Sequence, residues 1–145
     1  MINNQYIDAY KKTQQSSNAI RSSHEIVRTL MKELVNSMQK IVLDIQDERK
    51  RKQDQYLIDK VFEEKNARHK SKNLSKSLSI IYGLQTSLDF DKALEIASDL
   101  FQLYEYCRHE IIKGFTKKIE EGIIKAIDVI NQILEGWEEI SSLEK

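Results

Sequence analysis

Proline is absent from the 145 residues, glycine occurs only at 83, 114, 122 and 136, and cysteine occurs once. Strand-rich folds need turn chemistry about every ten residues, so a sequence this poor in turn formers excludes a sandwich or a barrel. The single Cys107 cannot close a disulfide within the chain, which fits a reducing compartment. No apolar run reaches the roughly 18–20 residues that a membrane-spanning helix requires. Met1-Ile2-Asn3-Asn4-Gln5 offers neither the basic start nor the apolar stretch of a secretory signal. A cytoplasmic protein without membrane insertion is therefore expected. An excess of charge is missing too: 23 basic and 23 acidic side chains cancel. A dedicated nucleic-acid binder needs a net basic field, and none is available here.

What is present is helical in composition and period. Leu, Lys, Glu, Gln and Ile dominate, and the length suits a single domain over residues 1–145. Residues 1–21 are polar and weakly patterned and read as a flexible arm, with Tyr6, Ile7, Tyr10 and Ile20 as its apolar groups. Ser22-Ser23-His24-Glu25 has the form of a capping box. Behind it Ile26, Leu30, Leu34, Met38, Ile41 and Ile45 recur at helical steps and predict the first long helix. Residues 46–72 form a charged connecting segment. It predicts an extension of the first helix, a turn between 50 and 72, and room for one extra short helix around 55–65. Leu74, Leu78, Ile81, Leu84 and Leu88 mark a second long helix, and Asp89 or Asp91 is placed to cap the next.

The third helix carries the cleanest repeat: Ala93, Ala97, Leu100, Tyr104, Cys107 and Ile111. Gly114 stands where a glycine commonly follows a helix terminus. A fourth helix is expected to start near Thr116 and to bury Ile119, Ile123, Ile127, Ile130, Leu134, Trp137 and Ile140. Short links near 89–91 and 114–116 force antiparallel neighbours. The fold class is all-α, an antiparallel four-helix bundle with an amino-terminal arm.

Catalysis has no foothold in this pattern. His24, His69 and His109 lie on different expected elements, and no metal-ligand spacing, glycine-rich phosphate loop or Glu-x2-His pair occurs. Cys107 falls on a core stripe and reads as a structural thiol. Neither a cofactor nor a metal is implied. The basic run Arg49–Lys52 is a candidate for phosphate contact, but Asp47, Glu48 and Asp54 flank it as on a solvated helix end. One surplus stands out: Leu100, Phe101, Leu103, Tyr104 and Tyr106 cannot all face one seam. An apolar flank of this kind suits an amphipathic partner helix, or a second copy of the chain.

The order of these motifs resembles the flagellin-specific secretion chaperones of the FliS family. The arm with Tyr6 and Tyr10, the helix start Ser22-Ser23-His24-Glu25-Ile26, and the stretch Ile80-Ile81-Tyr82-Gly83-Leu84-Gln85-Thr86-Ser87-Leu88-Asp89 follow the family's sequence of features. Ile96-Ala97-Ser98-Asp99-Leu100-Phe101-Gln102-Leu103-Tyr104-Glu105-Tyr106 is similar to its Ile-Ala-x2-Leu-x2-Leu-Tyr-x-Tyr, and Trp137 completes the order. The chain departs from the family at Ser23, where proline is usual, and in its longer charged segment. The resemblance implies a non-enzymatic cytosolic export chaperone whose partner is the carboxyl-terminal region of flagellin, held unpolymerised until secretion. It further implies a client groove near Leu100, Leu103, Tyr104 and Tyr106, covered when empty by Tyr6, Ile7 and Tyr10. A homodimer in the absence of client is compatible with the same open flank. The rival reading is a self-associating or helix-binding structural bundle with no flagellin client.

Overall fold

A computed structural model describes residues 23–54 and 60–143 as four helices: α1 (Ser23–Asp54), α2 (Lys60–Thr86), α3 (Leu94–Lys117) and α4 (Glu121–Leu143). There is no strand among the described residues. The arm residues, including Ser22 of the expected capping box, lie outside the described residues. α1 packs on α2 and α4, and α3 packs on α4 and α2. α1 meets α3 only across the diagonal. The expected all-α four-helix bundle is what forms.

The helical stripes build the core as their period dictates. Leu30, Leu34, Met38, Ile41 and Ile45 of α1 meet Ile80, Ile81 and Leu84 of α2, all buried. From α3 come Tyr104, Cys107 and Ile111, and from α4 Ile123, Ala126 and Ile130. Each large aliphatic side chain so buried contributes about 1.5–3 kcal/mol by removal from water. Two serines sit inside this apolar layer. Ser37 donates to the Leu34 carbonyl at 3.0 Å and lies 2.8 Å from the Ser77 hydroxyl, so neither buried group loses its partner. Nearby, Lys76 reaches Glu33 at 2.8 Å, which fixes the register of α1 against α2.

α1 and α4 are closed by a clasp at the end where α1 begins. The His24 and Trp137 rings stack with centroids 4.6 Å apart and planes 13° from parallel. His24 Nε2 lies 2.7 Å from the Trp137 carbonyl, and Trp137 Nε1–H donates to the His24 carbonyl at 2.9 Å. Arg28 adds a bond to Glu138 at 3.0 Å. At the other end, Lys118 meets Glu48 at 2.8 Å and Arg49 forms a two-pronged pair with Glu120. The first residue of the basic run therefore ties α1 to the α3–α4 link.

Four local expectations give way to the structure. In the segment 46–72, α1 extends to Asp54 as expected, but among the described residues 60–65 belong to the long helix α2, which starts at Lys60, rather than to a separate short one; residues 55–59 lie outside the described residues. With no Gly or Pro between 60 and 72, nothing there interrupts α2. Neither Asp89 nor Asp91 caps α3. The N-cap is Ala93 without a side-chain bond, and Asp89 Oδ1 instead accepts from the backbone of Asp91 and Lys92, each at 3.1 Å. Gly114 does not end α3. The helix runs on to Lys117, and Lys118, at φ 59°, takes the left-handed position with its N–H on the Gly114 carbonyl. α4 consequently starts at Glu121 rather than near Thr116, and Ile119 is left in the link, 49% exposed.

Gly114 earns its place by contact instead. A Cβ there would lie 2.6 Å from Ile123 Cδ1 and 2.7 Å from the Ile119 carbonyl oxygen, whereas a Cβ at Gly136 would meet nothing within 4 Å. Gly114→Ala is thus expected to destabilise by about 1–3 kcal/mol through overpacking. Gly136→Ala should stabilise by about 0.5–1 kcal/mol through helix propensity. Urea denaturation of both variants reads the two signs, and equal effects would contradict the packing described.

A second test concerns acid. Arg108 and Gln85 both donate to the Glu105 carboxylate, at 2.9–3.0 Å and 2.9 Å. The Arg108 bonds foremost, then Gln85, hold its pKa near 2 against an ordinary 4.5. A lowered folded pKa means stabilisation that is complete above about pH 4.5 and lost as pH falls through about 2. Glu105→Gln should therefore be less stable than the parent at neutral pH, with the gap closing across that acid window in denaturation curves.

Candidate binding flank on α3 and α4

The tight approach of Gly114 to Ile123 brings α3 and α4 together at their link and sets which side chains share the outer flank. α3 turns its core stripe inward, leaving Leu103 and Tyr106 at 38% and 39% exposure. α4 supplies the opposing wall with Ile124, Lys125, Asp128 and Val129. Between them runs an open groove of about 670 Å³. It adjoins a second hollow of about 330 Å³ at the link, where Glu110, Lys113 and Ile119 stand around the shared Tyr106 and Lys125. Glu110 leans over Gly122, where any Cβ would collide with its carboxylate. The surface is an apolar strip with charges of both signs along its edge, suited to an amphipathic helix rather than to a small charged ligand.

Of the four groove residues expected from the sequence, Leu103 and Tyr106 lie on this flank. Leu100 is half-buried against the core, and Tyr104 is buried at 2% exposure. Tyr104 falls on the inward stripe with Ala97, Cys107 and Ile111, so it supports the flank from beneath and offers no surface to a partner. Its burial pushes the phenol up to about 12. Tyr6, Ile7 and Tyr10 lie outside the described residues. The α4 wall was missed because Ile124 directly follows the core residue Ile123. An apolar residue beside a core stripe looks like a widening of that stripe until the helix is oriented.

No reactive centre faces the groove. Among the described residues no group of three or more His, Cys, Asp or Glu converges as a metal site would require. Cys107 is buried, and its thiol lies 3.7 Å from the Ala126 carbonyl. Burial pushes its pKa up to about 12. No helix among the described residues is long and apolar enough to cross a membrane.

Comparison with known proteins decides the family. The profile described as "Flagellar protein FliS" matches residues 6–144. The chain belongs to the FliS family. It is similar to the flagellar secretion chaperone FliS of Salmonella typhimurium (strain LT2), 33% identical over 73 residues, covering 50% of this chain and 54% of that protein. It is also similar to the flagellar secretion chaperone FliS of Vibrio cholerae serotype O1 (El Tor Inaba), 30% identical over 71 residues, covering 49% and 52%. The chain thus spans about half the length of the curated relatives it matches. Both are named as chaperones rather than enzymes. No solved structure gives a significant match.

The state of Cys107 yields a direct test. A thiol this strongly shifted and buried is protonated at neutral pH and closed to reagents. Iodoacetamide at pH 7 is expected to leave it unmodified in the native chain and to alkylate it fully in denaturant, as read by intact mass. Rapid native alkylation would place Cys107 outside the core.

Proposed function

We propose that this chain is a cytosolic flagellar secretion chaperone that binds the carboxyl-terminal segment of flagellin and keeps it from polymerising before export. The observation that carries this reading is the family match over residues 6–144, joined to an apolar flank of the bundle that no described element covers. A client segment that is disordered alone and helical when assembled loses ordering entropy on binding. It therefore needs a long apolar track in return. Leu103 and Tyr106 with Ile124 and Val129 offer such a track, and Leu100 and Tyr104 brace it from behind. Tyr6, Ile7 and Tyr10 of the arm are assigned to cover it when no client is bound. Binding requires neither nucleotide nor metal, and chemistry plays no part in it.

A second reading, self-association through the same flank, is favoured by the exposure of Leu103, Tyr106 and Ile124. A homodimer would fill the groove and compete with the client.

Titration calorimetry with the isolated carboxyl-terminal flagellin segment separates the two. One-to-one saturable binding with a negative heat-capacity change is expected. Leu103→Glu combined with Tyr106→Glu should weaken it by at least about tenfold, a loss typical of anchor residues, while circular dichroism stays unchanged. No binding, with a dimer in sedimentation equilibrium that the double variant disrupts, would establish the rival reading.

A further inference from the structure

The charges of the chain cancel in sum, but they are not mixed along the bundle. At the end where α3 turns into α4, Lys50, Arg68, Lys72, Lys113 and Lys117 are exposed. None of these side chains makes an ion pair among the described residues. Acids of that end are largely taken up: Glu48 by Lys118, Glu120 by Arg49 and Glu121 by Lys125. Asp44 accepts from Asn73 at 3.4 Å, which leaves exposed Asp47 and half-buried Glu110 without a partner there among the described residues.

At the opposite end the signs are reversed. Asp89, Asp91, Glu95, Asp99 and Glu135 are exposed, and none forms an ion pair among the described residues. Lys92 is their exposed counter-charge.

The contacts fix both placements. Lys50 follows Arg49, which is bound to Glu120 of the α3–α4 link. Arg68 and Lys72 precede Asn73, whose amide reaches Asp44 of α1, and Lys113 and Lys117 lie in the last turns of α3. At 1.5 Å per residue, these cations fall within about 10 Å of one another along the bundle axis, and Lys117 stands about 33 Å from Glu95. The Debye length at physiological salt is about 8 Å, so a surface that touches one pole is screened from the other.

We propose that the basic pole docks the protein on an anionic lipid surface, with the bundle axis standing upright from the bilayer. The inference goes beyond the client reading and does not depend on which segment fills the flank. The cations come from α1, α2 and α3 around one end, so a planar surface can meet them together. A nucleic-acid groove admits one helix or a two-stranded ribbon and would meet only part of them. Ile119 and Ile112, at 49% and 37% exposure, stand among the lysines. Apolar side chains beside cations suit the boundary between headgroups and acyl chains, and a phosphate backbone offers them nothing. Each cation held near an anionic leaflet tightens attachment about fivefold, while the acidic far pole makes the inverted orientation repulsive. In the docked orientation the flank between α3 and α4 runs along the bundle axis and stays open from the side.

Flotation of the full chain with vesicles tests this. Attachment is expected to vesicles of equal parts phosphatidylglycerol and phosphatidylcholine, and not to vesicles of phosphatidylcholine alone. It should be lost in 1 M salt, where the Debye length falls to about 3 Å. Arg68→Glu with Lys72→Glu, and separately Lys50→Glu with Lys117→Glu, should each weaken attachment at least about tenfold, with helicity unchanged in circular dichroism. Glu95→Gln with Asp99→Asn, at the far pole, should leave it within about twofold.

No attachment to the anionic vesicles overturns the proposal, as does equal attachment to neutral ones. Folded charge-reversal variants that still float like the parent overturn the assigned pole. A DNA duplex bound more tightly than the vesicles reassigns that pole to nucleic acid and overturns the lipid reading. Titration of the Arg68→Glu, Lys72→Glu variant with the flagellin segment keeps this inference apart from the proposed function. Lipid attachment lost with client binding retained supports the pole as a separate surface, and joint loss of both in a folded variant overturns that separation.

Discussion

At Gly114, α3 and α4 approach so tightly that a Cβ would not fit, and much of the molecule's working surface depends on it. Without a Cβ at 114, Ile123 and the Ile119 carbonyl can press against α3. α3 can then continue a turn beyond the glycine and reverse through a left-handed Lys118. A non-glycine residue in that conformation is unusual. Here the turn is completed by bonds from Lys118 and Ile119 to one carbonyl, that of Gly114. The pitch at which α4 leaves this turn determines that Ile124 and Val129, rather than Ile123 and Ile130, stand opposite Leu103 and Tyr106. Packing at one glycine thus decides the composition of a groove that extends well beyond it.

α1 and α2 are held in register differently, by polar groups within an apolar seam. The Ser37–Ser77 contact and the Glu33–Lys76 pair add little net energy, since each replaces bonds to water. Their effect is on alternatives. Sliding α2 by one turn would take the Ser77 hydroxyl away from Ser37 and leave it in an apolar layer, while Ser37 keeps the Leu34 carbonyl, and that cost discriminates between registers that hydrophobic burial alone would treat alike. Two long helices joined by a charged segment need such a device, because the stripe repeats and offers several similar matches.

The four stripes were legible because burial repeats with the helix, and no tertiary information is needed to see Leu30, Leu34, Met38 and Ile41 fall on one side. The links were less legible. A glycine that ends a helix and a glycine that admits a neighbour look the same in one sequence, so Gly114 reads as a terminus. Asp89 or Asp91 reads as a cap for the same kind of reason: the Asp89 carboxylate does serve backbone N–H groups, but those of the link instead of α3. On the flank, Leu103 and Tyr106 could be found as surplus over the seven-residue repeat. Ile124 could not, since knowing which of two adjacent isoleucines faces inward requires the orientation of α4. Tyr104, adjacent to Leu103, shows the same limit from the other side.

The clasp of His24 with Trp137 joins the first turn of the first helix to the last turns of the fourth. Ribosomes emit chains from the amino end, so α1, α2 and α3 are synthesised before the surface that covers α1 exists. Until α4 emerges, α1 lacks one of its two main neighbours, and the apolar stripe from Leu30 to Ile45 has no lid on that side. Native closure is therefore a late event in biosynthesis, and the groove, one wall of which is α4 itself, comes into being only at that moment. A nascent chain cannot engage a partner through this surface before its own fold is secured.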